Sequence, residues 1–377
     1  MDKRYVKKMD SELSRLGLGC MRFPTIGDKI DRIKAGVMLD ALIAAGVNYF
    51  DTGYSYHNSD SEVWLSEALI GRYPRESFHL ADKLPLRLCN EPSDLEKVFA
   101  TQMGRLKTDY IDFYLMHDLR VSEWNRIGGE NVIKFLEKKQ AEGKIRKKGF
   151  SFHETPENLK ILLDAYDWDF VQIQFNFYDN EIQRAGELYS LLESRGIPTI
   201  VMEPVRGGSL ANLRDDVSEI FHNANSDASI PSWALRWVAS HPNVQVVLSG
   251  MSNMEHVNDN IATFSPVMPL NEQEYEVIRA VVDKIKSLPT IPCTKCRYCV
   301  EGCPQGIDIP ELIERYNDYI RFSEPLFKRY YRELTGGSSE NNCISCGACS
   351  AVCPQHIDVP DALVKIHDAA AAIEKEA

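Results

Sequence analysis

Eight of the ten cysteines in this 377-residue chain lie between Cys293 and Cys353, in two copies of one run. The first copy is Cys293-x₂-Cys296-x₂-Cys299-x₃-Cys303-Pro304; the second is Cys343-x₂-Cys346-x₂-Cys349-x₃-Cys353-Pro354. Both continue alike, as Gln305-Gly306-Ile307-Asp308-Ile309-Pro310 and Gln355-His356-Ile357-Asp358-Val359-Pro360, which marks an internal duplication. Two-residue gaps let three thiolates wrap one face of a cubane, while the fourth cysteine, turned by its proline, reaches the cluster of the other run. The pattern assigns Cys293, Cys296, Cys299 and Cys353 to one [4Fe–4S] cluster, and Cys343, Cys346, Cys349 and Cys303 to a second. Four thiolates also suit tetrahedral zinc, but zinc sites use two Cys-x₂-Cys halves rather than a run of four ending in Cys-Pro. A secreted disulfide framework would not bunch its cysteines in two like motifs and leave only Cys20 and Cys89 upstream. Reduced, metal-binding thiols in the cytoplasm are the expectation.

Upstream the pattern changes. From Leu16 to about Gly250, short β-rich runs alternate with amphipathic stretches. The strand candidates are Leu16–Cys20, Val47–Thr52, Phe78–Lys83, Ile111–His117, Lys147–Ser151, Phe170–Phe175, Pro198–Glu203 and Val244–Ser249. Glu62–Ile70, Asp94–Leu106, Val132–Gln140 and Ile182–Ser194 carry apolar residues three and four apart, as helices do. Ser93 with Glu96 reads as a capping box, and Thr155-Pro156 as an N-cap with proline at the first helical position. Eight strand–helix repeats favour a closed (β/α)₈ barrel over an open doubly wound sheet, and no Gly-x-Gly-x-x-Gly follows the first strand. The expected class is α/β: a TIM barrel over residues 1–289 and a mainly helical two-cluster domain over 290–377. Within the latter, Pro310–Leu334 reads as a helical, aromatic-rich insert, Gly336-Gly337-Ser338-Ser339 as a flexible break, and Pro360–Glu376 as a closing helix.

Composition excludes some functions. Hydrophobic residues at 44% and charged residues at 26% suit a globular protein that needs no staples to fold. A net charge of −12 argues against nucleic acid, whose phosphates need a basic face. No uncharged apolar run reaches the ~18 residues of a membrane span. The basic opening Met1–Lys8 is followed by no apolar run, so it reads as a solvated arm rather than a secretory signal. Cys20 and Cys89 read as buried, idle thiols, and Trp64, Trp168, Trp233 and Trp237 as packing residues.

Polar residues collect at the C-terminal ends of three consecutive strands, where barrels place their chemistry. The second strand ends in Asp51-Thr52-Gly53-Tyr54-Ser55-Tyr56, the third in Ala81-Asp82-Lys83 and the fourth in Leu115-Met116-His117. This set suits carbonyl reduction. A free phenol titrates near ~10 and is a poor proton shuttle at neutral pH, whereas a nearby ammonium favours phenolate and lowers that value. Asp51 would pair with Lys83 and fix it. Tyr56 would then donate a proton to a carbonyl oxygen, with His117 orienting that oxygen or sharing the proton.

In that combination the chain resembles the aldo-keto reductases. Asp51-Thr52-x-x-x-Tyr56, Lys83 and His117 look like the family's catalytic tetrad, with Ser61-Glu62, Arg105–Asp112 and Glu142–Arg146 as similar surroundings. The likeness covers about residues 13–265. It implies the (β/α)₈ fold, NAD(P)H as cofactor, and reversible reduction of aldehydes or ketones. The cysteine region resembles a bacterial-type two-cluster ferredoxin module with a longer helical insert.

The implied cofactor site departs from the family pattern. The Ser-Asn pair that grips the carboxamide stands here as Ser151-Phe152, with Gln172 at the family's glutamine position. Met202, followed by Glu203, replaces the aromatic residue that stacks on nicotinamide. Backbone amides from Arg206 onward would cradle a pyrophosphate, with Arg206 adding charge. The adenosine end falls on Gly250, Ser252, Asn253, His256 and Asn260. No Lys or Arg occurs from Gln245 to Leu270, and His256 is a weaker partner for a 2′-phosphate. NADH is therefore expected over NADPH.

Hydride carries two electrons at once and a cluster carries one, and no flavin site is evident to couple them. The leading expectation is a hydride-transferring reductase of a small carbonyl or alcohol substrate, its clusters structural or regulatory. One alternative is an iron–sulfur electron-transfer reductase fed by a ferredoxin or flavoprotein partner. The other is a non-enzymatic redox sensor or docking protein, against which the intact tetrad argues.

Overall fold

The computed structural model describes residues 1–323, 327–336 and 342–376. The chain forms two compact units: Met1–Gly207 with Pro231–Tyr275, and Gly208–Ile230 with Glu276–Ala377.

The first unit is built on eight parallel strands: β1 (Leu16–Gly19), β2 (Tyr49–Asp51), β3 (His79–Pro85), β4 (Ile111–His117), β5 (Ile145–Phe152), β6 (Phe170–Gln174), β7 (Thr199–Met202) and β8 (Val244–Ser249). They pair in sequence order and close, β8 meeting β1 with Ser249 opposite Leu18. All eight strands expected from the sequence are present, Ile111–His117 and Val244–Ser249 with the expected bounds and the others with ends shifted by at most two residues. Their near-continuous apolar runs fit strands covered on both faces. Tyr49, Ala81, Phe113, Leu115, Phe170, Ile200, Val246 and Leu248 share one interior cluster.

The opening residues depart from expectation. Lys3–Val6 and Ser11–Ser14 form an antiparallel hairpin instead of a solvated arm. Its Val6, Met9 and Leu13 join the barrel's interior cluster. Ser14 and Asn48, just ahead of β1 and β2, exchange hydrogen bonds of 2.7 and 3.0 Å, which ties the hairpin to the strands' N-terminal ends. Complete burial of Met9 and Leu13, at about 1.5–3 kcal/mol per side chain, outweighs the solvation of Lys3, Lys7 and Lys8, which precede them.

Helices follow the strands, with local corrections. Thr155 caps the helix Pro156–Ala165 through a 3.4 Å bond from the Asn158 amide, as expected. The Ser93–Glu96 box does not form: Ser93 is already inside the helix Ser93–Leu106 and bonds Glu91. Asp94 instead accepts the amides of Asn90 and Glu91 at 2.9 and 3.2 Å. The stretch expected as one helix over Ile182–Ser194 is broken at Arg184, which is left-handed at φ 54°, between Asp179–Ile182 and Ala185–Ser194.

In the second unit the helices Ile309–Phe322, Phe327–Leu334 and Val359–Glu376 pack on a core that includes Ile309, Leu312, Phe327, Tyr331, Leu363 and Ile366. Beyond Gly336 the expected flexible break lies outside the described residues. The duplication extends to the backbone: Lys295 and Arg297 are left-handed, and so are their counterparts Ser345 and Gly347. A four-residue helix follows in each copy, Tyr298–Glu301 and Ala348–Ala351. Among the described residues no helix is long and apolar enough to cross a membrane.

Candidate active site and cluster-binding cysteines

Strand register sets the rim. Asp51 at the end of β2 lies opposite Ala81, which puts Lys83 two residues further along β3, and Pro85 of β3 lies opposite His117 of β4. Lys83 is buried, and its ammonium donates to Asp51 and, at 2.7 Å, to the Thr52 carbonyl. Removing one partner of a pair this buried leaves an uncompensated charge, at about 3–5 kcal/mol. Tyr56 arrives on the loop after β2. Its amide donates to Gly53, its carbonyl accepts the Ser61 amide, and three left-handed residues, His57–Ser59, turn the chain back into the helix Asp60–Leu65. The Lys83 Nζ sits 4.8 Å from the centre of the Tyr56 ring, and His117 meets that ring edge to face at 5.8 Å.

Electrostatics refine the sequence argument. Burial pushes the Tyr56 phenol above its ordinary value and outweighs the downward pull of Lys83, so desolvation, not the ammonium, decides the sign. Burial also disfavours the Lys83 ammonium, but Asp51 and Tyr56 outweigh it and raise the amine above its ordinary range. His117 is pushed down to about 3 by burial, with Lys83 adding to the shift, so its imidazole is neutral at pH 7. Its Nδ1 is buried without a hydrogen-bond partner. The rim therefore holds a protonated phenol, a fixed cation and a neutral imidazole. Such a set can protonate an oxygen and orient it, but the imidazole has no extra proton to share.

Behind Lys83 lies a network that the sequence reading missed. Asp82 and Glu62 are both fully buried. Asp82 accepts the Lys83 amide at 2.8 Å and the Gln102 side-chain amide at 2.7 Å, while Tyr114 donates to Gln102 at 2.6 Å. Arg105 donates to Glu62 at 2.7 Å and to the Tyr54 carbonyl at 3.0 Å, which joins the β2 loop to this network. Burial and the neighbouring Glu62 push Asp82 well above the usual carboxylate range. The signal was alternation: with Lys83 facing the barrel interior, Asp82 must face the surrounding helices.

The expected cofactor residues fall into two groups. Ser151 of β5 and Gln172 of β6 are buried in-register neighbours; Ser151 Oγ accepts the Asp118 amide at 2.8 Å, and Gln172 Oε1 has no hydrogen-bond partner. An orphaned buried carbonyl oxygen fits an amide donor such as a carboxamide. Met202 ends β7 and packs on the interior cluster. Glu203 is left-handed, with its carbonyl held by Asn176 at 3.1 Å. The remaining residues satisfy one another. Arg206 turns to Asp179 at 3.3 Å, so its charge is already compensated. Asn253 caps the helix Met254–Thr263 by accepting the His256 amide at 2.9 Å. The Ser252 amide donates to His256 at 3.3 Å, and Asn260 donates to Ser249 at 2.8 Å. Gly250, exposed after β8, is overlaid by the stem of Arg22, a residue the sequence reading passed over.

The cysteines border two cavities. Cys343, Cys346, Cys349 and Cys303 line one of about 330 Å³, walled by Ile307, Ile344 and Leu363. Cys293, Cys296, Cys299 and Cys353 line the other, about 350 Å³, walled by Ile313, Ile357 and Val359. Ile309 touches both. Each cavity takes three thiols from one run and the fourth from the other, the grouping expected from the spacing. The left-handed turns aim amides at sulfur, with Lys295 on Cys293 at 3.5 Å and Ser345 on Cys343 at 3.3 Å. Among the described residues no three His, Cys, Asp or Glu side chains converge as they would on a single ion. Four thiols around an apolar pocket fit the donor set of a cubane cluster. Cys20 and Cys89 are buried and unpaired by disulfides.

Comparison with known proteins gives separate matches for the barrel strands and for the cysteine runs. Residues 15–283 match the aldo/keto reductase family, and residues 292–357 a 4Fe-4S dicluster domain. An uncharacterized oxidoreductase, YqkF of Bacillus subtilis, is 27% identical over 74% of this chain and 96% of its own length. An NADH-specific methylglyoxal reductase of Escherichia coli is 25% identical over 76% of this chain and 100% of its own. The holo form of the aldo-keto reductase AKR11C1 from Bacillus halodurans superposes with a TM-score of 0.64 at 25% identity, covering 74% of this chain and 96% of that one. The chain belongs to the aldo/keto reductase family, an oxidoreductase barrel followed by a 4Fe-4S dicluster domain.

Proposed function

We propose that this chain reduces a small aldehyde or ketone, using NADH in preference to NADPH, with Tyr56 as the proton donor. The observation that carries the reading is the Lys83 ammonium, bound by Asp51 and 4.8 Å from the Tyr56 ring. A nicotinamide, when bound, supplies hydride to the carbonyl carbon. Tyr56 keeps its proton at neutral pH and gives it to the carbonyl oxygen; Lys83 stabilises the phenolate left behind, and Asp51 holds Lys83 in place. Neutral His117 orients the carbonyl oxygen. Ser151 and Gln172 hold the carboxamide, Met202 and Glu203 border the ring, and Gly250, Ser252, Asn253, His256 and Asn260 receive the adenosine end. The lack of Lys and Arg from Gln245 to Leu270 supports NADH, as does the name of the E. coli relative.

In this reading residues 1–289 form the catalytic domain and 290–377 the cluster domain. The eight thiols hold two [4Fe–4S] clusters that organise the second domain. The test is anaerobic NADH oxidation with methylglyoxal and other small carbonyls. Turnover by the wild type and by Cys349→Ser, with turnover about 10²–10⁴-fold lower in Tyr56→Phe, is the expected result. Turnover that requires reduced ferredoxin or dithionite would replace this reading with the electron-transfer one.

A further inference from the structure

We infer that Asp82 and Glu62 hold one proton between them, carried by Asp82 and donated to Glu62, and that this acid pair positions both the Lys83 peptide and the loop bearing Tyr56. The proton follows from a count of charges and donors. Both carboxyls are fully buried, and they lie within hydrogen-bonding reach of each other. The Lys83 ammonium is committed to Asp51, so the two carboxyls share a single cation, Arg105. Arg105 donates to Glu62 Oε2 at 2.7 Å, and Glu62 Oε1 is buried without a donor. The Gln102 amide cannot supply one. Tyr114 fixes its orientation by donating to Gln102 Oε1 at 2.6 Å, and its two hydrogens go to Asp82 Oδ2 at 2.7 Å and to the Lys83 carbonyl at 3.1 Å. Two carboxyls apposed away from water with one cation do not both ionise. A proton on Asp82 supplies the donor that Glu62 Oε1 lacks, whereas a proton on Glu62 would leave Arg105 facing a neutral acid.

The pair is tied to both halves of the proton-donating set. On one side, Asp82 Oδ1 accepts the Lys83 amide at 2.8 Å while Gln102 holds the Lys83 carbonyl, so both peptide groups of Lys83 are fixed from outside the barrel. On the other, Glu62 holds Arg105, and Arg105 donates to the Tyr54 carbonyl at 3.0 Å, two residues before Tyr56. The Arg105 guanidinium also lies 4.3 Å from the centre of the Tyr54 ring. The strand that carries the ammonium and the loop that carries the phenol are thus joined through one hydrogen bond between acids. Strand alternation turns Asp82 away from the interior that Lys83 faces, so the pair touches no reacting atom and acts only by positioning. That role rests on the reading of Tyr56 as proton donor; the shared proton does not.

Infrared spectroscopy of the full-length holoprotein reads the proton. At mildly alkaline pH, where ordinary carboxyls are ionised, the wild type should show the carbonyl band of a protonated carboxyl, and carbon-13 in the aspartate side chains should shift it. Asp82→Asn should remove the band. Glu62→Gln should remove it too, although Asp82 is still present, because Asp82 must then ionise to balance Arg105. Absence of the band in the wild type, or its persistence in Glu62→Gln, would overturn the shared proton, and the wild-type spectrum decides this even where a variant does not fold. Turnover with NADH and a small carbonyl reads the positioning. Asp82→Asn, whose amide still accepts from Lys83 and donates to Glu62, should stay near the wild type, whereas Asp82→Ala should lower kcat by up to about 10²-fold with NADH binding within about twofold. A kcat unchanged in Asp82→Ala, or lowered equally in both variants, would overturn the positioning role. A wild type that shows the band but turns over no carbonyl would remove the Tyr56 reading and the positioning with it, and leave the shared proton standing.

Discussion

The barrel rim and the cysteine unit hold their chemistry in opposite ways. At the rim, Asp51, Lys83 and His117 come from three strands, and they meet only because β2, β3 and β4 are in register. The surrounding barrel folds on its own apolar interior, with no ligand in the plan. In the second unit the thiols come from two short runs and border two cavities at the edge of the apolar core that Cys349 joins. Long-range packing makes the first site, and the first site would outlast the loss of its cofactor. Local loops make the second, and they depend on what fills them.

Removing iron is expected to have the largest effect and to separate the two regions. Anaerobic chelation should abolish the visible cluster absorbance and lower the helix signal from Ile309–Phe322 and Val359–Glu376. All five tryptophans, Trp64, Trp124, Trp168, Trp233 and Trp237, lie in the barrel unit, so their fluorescence should barely change. Loss of both signals together would show that the barrel also depends on metal. Next in size, Tyr56→Phe should lower kcat by about 10²–10⁴-fold, the usual worth of a general acid, with NADH affinity within twofold. A drop in affinity without a drop in kcat would assign Tyr56 to binding. Leu13→Ala should cost about 2–5 kcal/mol in barrel stability by denaturant titration, because Leu13 is fully buried under the strands. A solvated arm would cost almost nothing.

The smallest expected effect is a missing one. Tyr56 is raised by burial against Lys83, so its proton is present at neutral pH and is lost only as pH climbs through the raised value. His117 sits at about 3 and stays neutral above that. Carbonyl reduction should therefore show no inflection near ~6.5, where an ordinary histidine titrates, and should fall only on the alkaline side. An inflection near neutrality in kcat that vanishes in His117→Gln would contradict the assigned protonation states.

What the sequence revealed follows the same contrast. The cysteine runs were legible because spacing within eleven residues constrains geometry closely, and the duplication repeats it. The strands were legible because both their faces are buried, and the meeting of Asp51, Lys83 and His117 because they sit at neighbouring strand ends. The Ser93 box failed because Asp94, one residue on, takes the loop amides instead. The hairpin at Lys3–Ser14 was hidden because its lysines mask the three apolar residues that close the barrel.

The most direct test is isotopic. With NADH deuterated on the transferring face of its nicotinamide ring, the alcohol formed from a ketone or aldehyde should carry one deuterium on the former carbonyl carbon, in wild-type protein and in Cys349→Ser alike. An unlabelled product, its hydrogen drawn from water, would mean that electrons and protons arrive separately, and that the barrel is no hydride-transfer reductase.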